Sequence, residues 1–462
     1  MALIKSISGT RGTIGGKPGE NFTAQDIVES AAAYAHWLQL HYEKPKVVLG
    51  RDARISGEIV AEIVIGTLRM TGIHVIDLGL STTPTVAMAV AIESAQGGII
   101  ITASHNPKQW NALKFLNDRG EFISAANGAA ILSIIENKEV EYAKIEELGE
   151  IHKKVGYIQK HIDHILELEE VELELVKSKN YKIVVDCINS TGALSIVPLL
   201  EQMGCEVIAI HDEVHGKFAH NPEPLPENLT DLSAAVLKNK AHLGIAVDPD
   251  VDRLALVCED GEMFGEEYTL VAISDYILSF HGKGNTVSNL SSTQALKVVT
   301  ESHGGNYYAS AVGEVNVVAK MKEVNAIIGG EGNGGIIFPA LHYGRDAMVG
   351  VALFLSQLAK LNKAVSSLRL QYPNFTIIKD KIQLNPELDI HLLIEKLKLK
   401  YHRYEQNTED GLKIFVDDNW IHLRSSNTEP IIRIYTESAL VVTAENLAKK
   451  IKQDISEIMK EN

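Results

Sequence analysis

Short apolar runs alternate along this chain with segments whose apolar positions recur every three or four residues. In the first third, "KPKVVLG" (Lys44–Gly50) reads as a buried strand. "SGEIVAEIVIGTLRMTG" (Ser56–Gly72) has helical spacing and closes on glycine. "IHVIDLG" (Ile73–Gly79) predicts a second strand and "TPTVAMAVAIES" (Thr83–Ser94) a second helix. "GGIIITASHNP" (Gly97–Pro107) is then a strand that runs straight into a polar loop.

The same order recurs. "YKIVVDCIN", "GALSIVPLLEQMG", "CEVIAIH", "LTDLSAAVLKNK" and "HLGIAVDPDVDR" repeat it between Tyr181 and Arg253. A third round, from Gly284 to Gly335, has "NAIIGG" as its last strand. Three such units predict three similar α/β domains with mixed sheets flanked by helices. In open α/β sheets, ligands bind beyond the strand ends. The loops to inspect are therefore Thr102–Pro107, Asp248–Arg253 and Gly330–Gly335. From about residue 370 the pattern changes to strand, helix, hairpin, strand and helix, which predicts a small C-terminal α+β domain. The expected spans are 1–149, 150–254, 255–368 and 369–462. Residues 136–180 are rich in charge and read as a solvated linker followed by a helix.

Composition narrows the partners. The 462 residues exceed one ordinary core, which agrees with several domains. A net charge of −16 argues against general nucleic-acid or anionic-membrane binding, so any anionic substrate needs cations gathered locally. Cys187, Cys205 and Cys258 are odd in number and widely spaced, which suggests neither a disulfide framework nor a zinc site. The N-terminus lacks an apolar h-region and no apolar run approaches the ~20 residues of a membrane span. A cytoplasmic protein is the expectation.

"DPDVDR" is the sharpest chemical signal. In extended backbone, Asp248, Asp250 and Asp252 leave on one side, about 7 Å apart at their roots. Three uncompensated carboxylates repel, and a hard cation such as Mg²⁺ or Ca²⁺ removes the conflict. A solvated acidic turn is the plain alternative. An EF-hand loop is disfavoured, because Arg253 stands where the sharp turn wants glycine. Arg253 beside a metal suits a phosphate. In "GEGNGG" the glycines permit close approach of a ligand, and Glu331 and Asn333 suit sugar hydroxyls. "TASHNP" holds a candidate nucleophile, Ser104, without the features of a hydrolase triad. "RSSNTEP" (Arg424–Pro430) makes a phosphate cradle, and "SGTRG" sets Arg11 between glycines. Each motif alone could be an ordinary polar turn.

Together, "TASHNP", "DPDVDR", "GEGNGG" and "RSSNTEP" resemble the four loops of the α-D-phosphohexomutase family, in its order and roughly its spacing, over nearly the whole chain. The resemblance implies four domains around one cleft. It implies that Ser104 is a phosphoserine and a metal ligand, and that Asp248, Asp250 and Asp252 hold Mg²⁺. Arg424, Ser426, Asn427 and Thr428 would grip the non-reacting phosphate, and Glu331 and Asn333 would read the sugar. Arg11, His105, Lys114 and Arg253 match positions that contact phosphoryl groups or assist proton transfer. The implied reaction interconverts hexose 6-phosphate and hexose 1-phosphate through a 1,6-bisphosphate, which also serves as activator.

Two departures matter. Many relatives read "GExSGH" where this chain has Asn333 and Gly335, so a general acid or base at the histidine position cannot be carried over. His105 and Lys114 become the candidates. "TEP" and "VGEVNV" (Val312–Val317) resemble the phosphoglucosamine branch, whereas "SNT" resembles the phosphomannomutase/phosphoglucomutase branch. Glucosamine phosphate is the favoured substrate, with mannose and glucose phosphates as the alternative. A non-catalytic sugar-phosphate binding protein and a phosphatase are the other readings.

Overall fold

The computed structural model describes residues 3–6, 9–383, 390–425 and 431–460. It contains four sheets. The first is built from β1 (Leu3–Ser6), β2 (Gly9–Thr13), β3 (Lys46–Arg51), β4 (His74–Leu80), β5 (Gly97–Ile101), β6 (Trp110–Leu116) and β7 (Ile151–Lys153), in the order β1-β2-β6-β5-β3-β4-β7. The second has β8 (Lys182–Asp186), β9 (Glu206–Ile210), β10 (Leu243–Val247) and β11 (Leu254–Cys258), in the order β11-β10-β8-β9. The third has β12 (Asn285–Asn289), β13 (Asn306–Ser310), β14 (Ala326–Glu331) and β15 (Gly335–Ile337), in the order β13-β12-β14-β15.

All three share one plan. Three parallel strands are followed by an antiparallel return strand: β5 pairs with β6, β10 with β11, and β14 with β15. The three chemical loops are the turns into those return strands. Pairing also decides which sheet a segment joins: β11 pairs with β10 although it follows Arg253, and β7 pairs with β4 although it follows residue 149. Backbone pairing, invisible to composition, holds these segments to the preceding unit.

Helices cover both faces of the first sheet. Val47, Leu49, Ile99 and Ile101 pack into one apolar cluster, and Val48 and Ile100 into another, as strand alternation requires. The second and third sheets share a single core that runs from Ile162 to Tyr372. Helix Ala347–Leu361 lies inside it, buried at every residue from Ala347 to Ala359. An all-round apolar helix is expected only in such an interior. The charged stretch before the second sheet forms helices Tyr157–Leu166 and Leu173–Lys179, which lend Ile162, Ile165 and Val176 to the same core.

The fourth sheet is β16 (Thr376–Gln383), β17 (Glu405–Asn407), β18 (Leu412–Val416), β19 (Asn419–Ser425) and β20 (Ile431–Ser438), in the order β16-β20-β19-β18-β17. It has its own apolar cluster beneath helices Ile390–Lys400 and Val441–Lys460. Polar contacts tie it to the third domain: Lys413 Nζ donates to the Leu290 carbonyl at 2.6 Å, and Gln294 N to Glu437 Oε2 at 3.0 Å. Among the described residues, no helix is long and apolar enough to cross a membrane.

Candidate active site

The serine loop is built on a buried ion pair. Arg54 and Asp52, both fully buried, pair at 3.0 Å just beyond β3. The Arg54 guanidinium also donates to the carbonyls of Pro107 and Trp110 (2.9 and 3.0 Å) and to those of Ser104 and Asn106. Thr102 donates its hydroxyl to Asp52 Oδ2 (2.6 Å) and accepts from Ser104 N (2.9 Å). The loop's carbonyls thus gather on one cation, and Ser104 takes a left-handed φ of 49°. That turn sends its hydroxyl to the second domain, where Ser104 Oγ donates to Asp248 Oδ2 at 2.6 Å.

Asp248, Asp250 and Asp252 are fully buried, and each offers a carboxylate oxygen within 4.8 Å of the others. The loop is a tight turn, not the extended backbone expected from the period-two spacing. Val251 N donates to the Asp248 carbonyl (3.0 Å), and Val251 has a φ of 62°. A β-branched residue in that region is strained and persists only where its surroundings hold it. Asp248 Oδ1 accepts from Asp252 N and Arg253 N, both at 3.1 Å. Asp250 Oδ1 and Asp252 Oδ1 are buried without a hydrogen-bond partner among the described residues. Burial and its two acidic neighbours push the Asp248 pKa well up. Burial works against the Asp250 charge, but Lys114 Nζ at 3.0 Å and the Thr83 hydroxyl act with other contacts to hold that pKa down. Convergent oxygens with orphaned lone pairs fit a hard divalent cation.

Lys114 Nζ lies between Asp250 (3.0 Å) and Asp252 (3.8 Å); burial opposes its charge, yet the two carboxylates raise its pKa. His105 Nδ1 is 3.3 Å from Ser104 Oγ. Burial, together with the charges of Arg253, Arg345 and Lys114, depresses the His105 pKa to about 2. Arg253 pairs weakly with Glu223 at 3.6 Å, and its Nε is buried without a partner among the described residues.

Glu331, at the end of β14, accepts from Asn289 Nδ2 (3.0 Å), Gly313 N (3.2 Å) and Arg345 Nη1 (2.9 Å). Arg345 also reaches Asp252 Oδ2 (2.6 Å) and Glu314 Oε2 (2.9 Å), joining the sugar-type loop to the acidic loop. It directly precedes Asp346, whose carboxylate caps the buried helix Ala347–Leu361, so the central core fixes where it stands. Asn333 is turned to its own loop, its Oδ1 accepting from Gly335 N at 3.2 Å.

Arg11, Ser104, His105, Lys114, Arg253, Glu331 and Arg345 line one cleft of about 480 Å³. Arg11 faces the fourth domain: burial, then the nearby charge of Arg433, lowers its pKa. Arg433 stands directly opposite Arg424 across β19 and β20. Like charges so placed destabilise a sheet unless an anion lies between them. Asp410 Oδ2 takes up part of the Arg424 charge at 2.6 Å. Ser426, Asn427 and Thr428 lie outside the described residues.

Sequence reasoning missed Asp52, Arg54, Thr102, Glu314, Arg345 and Arg433. A signal existed for some of them. "GRDARISG" (Gly50–Gly57) and "YGRDAMVG" (Tyr343–Gly350) place charges beside the apolar runs of β3 and of helix Ala347–Leu361. Such charges are retained only when paired.

Similarity to known proteins agrees with this geometry. Models of phosphoglucomutase/phosphomannomutase match in order: alpha/beta/alpha domain I over residues 4–141, domain II over 159–261, domain III over 265–375 and the C-terminal domain over 387–454. A phosphoglucomutase/phosphomannomutase of Thermococcus kodakarensis is 34% identical over 433 residues, 92% of this chain and 94% of the relative. The "Probable phosphoglucosamine mutase" of Methanopyrus kandleri is 32% identical over 455 residues, 98% and 97% of the two chains. The crystal structure of a phosphoglucomutase/phosphomannomutase family protein from Burkholderia thailandensis superposes with a TM-score of 0.85 at 25% identity, covering 97% of this chain and 96% of that one. Four such domains, the first three lining the cleft among the described residues, define a phosphohexomutase, an isomerase-type phosphotransferase. The chain belongs to the phosphoglucomutase/phosphomannomutase family.

Proposed function

We propose that this protein interconverts a hexose 6-phosphate and a hexose 1-phosphate through a phosphoserine at Ser104, with glucosamine phosphate as the preferred sugar. The observation that carries the reading is the 2.6 Å contact of Ser104 Oγ with Asp248 Oδ2, beside two buried carboxylate oxygens without partners among the described residues. The Methanopyrus kandleri relative's name supports the hexosamine; the Thermococcus kodakarensis relative, at 34% identity, supports mannose and glucose phosphates as the second reading.

Asp248, Asp250 and Asp252, with an oxygen on Ser104, would hold Mg²⁺, which when bound neutralises phosphoryl oxygens as a Lewis acid. The phosphoryl group passes from Ser104 Oγ to the free hydroxyl of the sugar monophosphate, which loses its proton. The 1,6-bisphosphate turns around, and its other phosphate returns to Ser104. Lys114 and Arg253 stabilise charge on the transferring group, the chief requirement of phosphoryl transfer. His105 and Lys114 are the groups placed for proton transfer. Arg11 and Arg424, with Ser426, Asn427 and Thr428, hold the non-reacting phosphate, while Glu331 and Asn333 read hydroxyls. The fourth domain, with its separate core and polar contacts, rotates to let the bisphosphate turn without release. Hexose 1,6-bisphosphate primes Ser104 and so acts as activator.

The test is a side-by-side assay of glucosamine, N-acetylglucosamine, mannose and glucose phosphates with Mg²⁺ and a bisphosphate activator. Isomerised sugar in excess of free phosphate is expected, together with an intact-mass species one phosphate heavier that vanishes in Ser104→Ala. Free phosphate in excess would indicate a phosphatase, and binding without turnover a non-catalytic protein.

A further inference from the structure

Arg345 crosses the cleft where position 335 has no side chain. A Cβ built on Gly335 would come within 2.3 Å of Arg345 Cδ and 3.1 Å of its Cγ. Glycine at 335 is therefore what lets the arginine lie there. The guanidinium is held on three sides. Nε donates to Glu314 Oε2 (2.9 Å), Nη1 to Glu331 Oε2 (2.9 Å) and Nη2 to Asp252 Oδ2 (2.6 Å). The Arg345 backbone N–H adds a bond to Glu314 Oε1 (3.2 Å). The side chain is 11% exposed and lines the cleft.

A guanidinium carries five N–H groups in a rigid plane. Three are accounted for, so one N–H on each terminal nitrogen has no acceptor among the described residues. An anchored fork of this kind suits ligand oxygens and costs little reorganisation when charge develops. Its position is specific, since one terminal nitrogen is bonded to the sugar-type loop and the other to the acidic loop. Arginine does not give up a proton in proteins, so its contribution is charge and hydrogen bonding, not acid–base chemistry.

We propose that Arg345 is a substrate-binding residue of this cleft. It presents the two remaining N–H groups to oxygens at the reacting end of the sugar phosphate, in the space a side chain at position 335 would otherwise fill. The proposal rests on the mutase reading. Its test uses the full chain carrying Ser104→Ala, titrated calorimetrically with glucose 1,6-bisphosphate at saturating Mg²⁺; Mg²⁺ alone is titrated in parallel. Arg345→Lys keeps the charge but not the fork, and is expected to weaken bisphosphate binding at least tenfold. In the Ser104 enzyme the same change is expected to lower kcat/KM about a hundredfold. Arg345→Gln should behave alike. Bisphosphate affinity within twofold of the Arg345 protein would overturn the proposal, whatever happens to Mg²⁺ affinity, because a residue that only braces Asp252 acts through the metal. Should both variants fail to melt cooperatively, the Ser104→Ala protein itself decides. Bisphosphate should protect Arg345 from phenylglyoxal in peptide mass spectrometry, and no ligand-dependent change there counts against the contact. If the unaltered enzyme isomerises no hexose phosphate, the mutase reading has failed; if it does and Arg345→Lys matches it, only the role of Arg345 has.

Discussion

Thr83 of the first domain is bonded twice to Asp250 of the second: its amide N–H donates to the Asp250 carbonyl at 2.9 Å, and its hydroxyl to Asp250 Oδ2 at 2.6 Å. The helix that starts at Thr83 is thereby docked on the acidic loop itself. Thr83→Val keeps the shape and the amide contact and removes the hydroxyl. The lost bond to a charged, buried acceptor is expected to cost about 1.5–3 kcal/mol of stability. The Mg²⁺ concentration for half-maximal activity should rise several-fold. Denaturant melts and a metal titration check both.

Removing a member of the acidic trio has a larger effect on activity. Asp250→Ala leaves Lys114 with Asp252 at 3.8 Å as its one carboxylate partner among the described residues. Both it and Ser104→Ala are expected to lose at least ~100-fold in turnover, the scale of an electrostatic contact to a transition state. The fold should persist in each, as seen by circular dichroism. Near-normal turnover in either would sink the assignment.

Bound metal should stabilise the native state. Mg²⁺ at about a hundred times its dissociation constant adds roughly 2.7 kcal/mol to a protein that binds it only when folded. Calorimetric melts in Mg²⁺ and in EDTA should therefore differ by several degrees. In Asp250→Ala the difference should shrink, since the trio is incomplete.

Arg54 answers for the serine loop. Its substitution by Met strands the Asp52 carboxylate in the core and removes the shared donor from four carbonyls. Breaking a buried pair from one side costs about 3–5 kcal/mol. Arg54→Met should show a loss of that size in urea unfolding, and the folded fraction should phosphorylate poorly on Ser104 by intact mass.

Stability should also depend on pH through Asp186, His211 and His220. Burial works against the Asp186 charge, but hydrogen bonds from His211 (3.1 Å) and His220 (2.9 Å) outweigh it and hold its pKa at about 2. The bond to Asp186 raises the His211 pKa. Burial opposes the His220 charge, yet Asp186 raises that pKa as well. A depressed carboxyl stabilises the fold above its ordinary pKa of about 4 and loses this as pH falls toward 2. A raised imidazole stabilises fully below about 6.5 and loses this as pH rises through its folded value. The network should therefore contribute most between about pH 4 and 6.5. His220→Gln keeps the hydrogen bond without the charge, so its deficit in melting temperature should be largest at pH 5–6 and fade toward pH 9. A deficit that does not change with pH would contradict this.

Much of the molecule was legible as pattern. The strand–helix alternation around Val47–Leu49, Ile183–Val185 and Ala326–Ile328 follows from period and β-branching, which act locally. So does the placing of Ser104, the three aspartates and Glu331 at strand ends. The roles of Arg345 and Arg54 were not legible: Asp52 is two residues from Arg54, but most of what the two arginines hold lies far off in sequence. Glu314 and Asp252 are 31 and 93 residues from Arg345, and Ser104 is 50 from Arg54. No local propensity marks such pairs.

By itself the sequence determined which segments become strands and helices, and which side chains wait at the strand ends, since hydrophobic period and turn chemistry act within a few residues. The tertiary structure decided the rest. Pairing of β6, β11 and β15 with strands already formed points three loops into one cleft. The shared core of the second and third domains sets Arg345 across Gly335. Those outcomes depend on which distant surfaces exclude water together and which buried charges find partners, and neither is a property of any short stretch of chain.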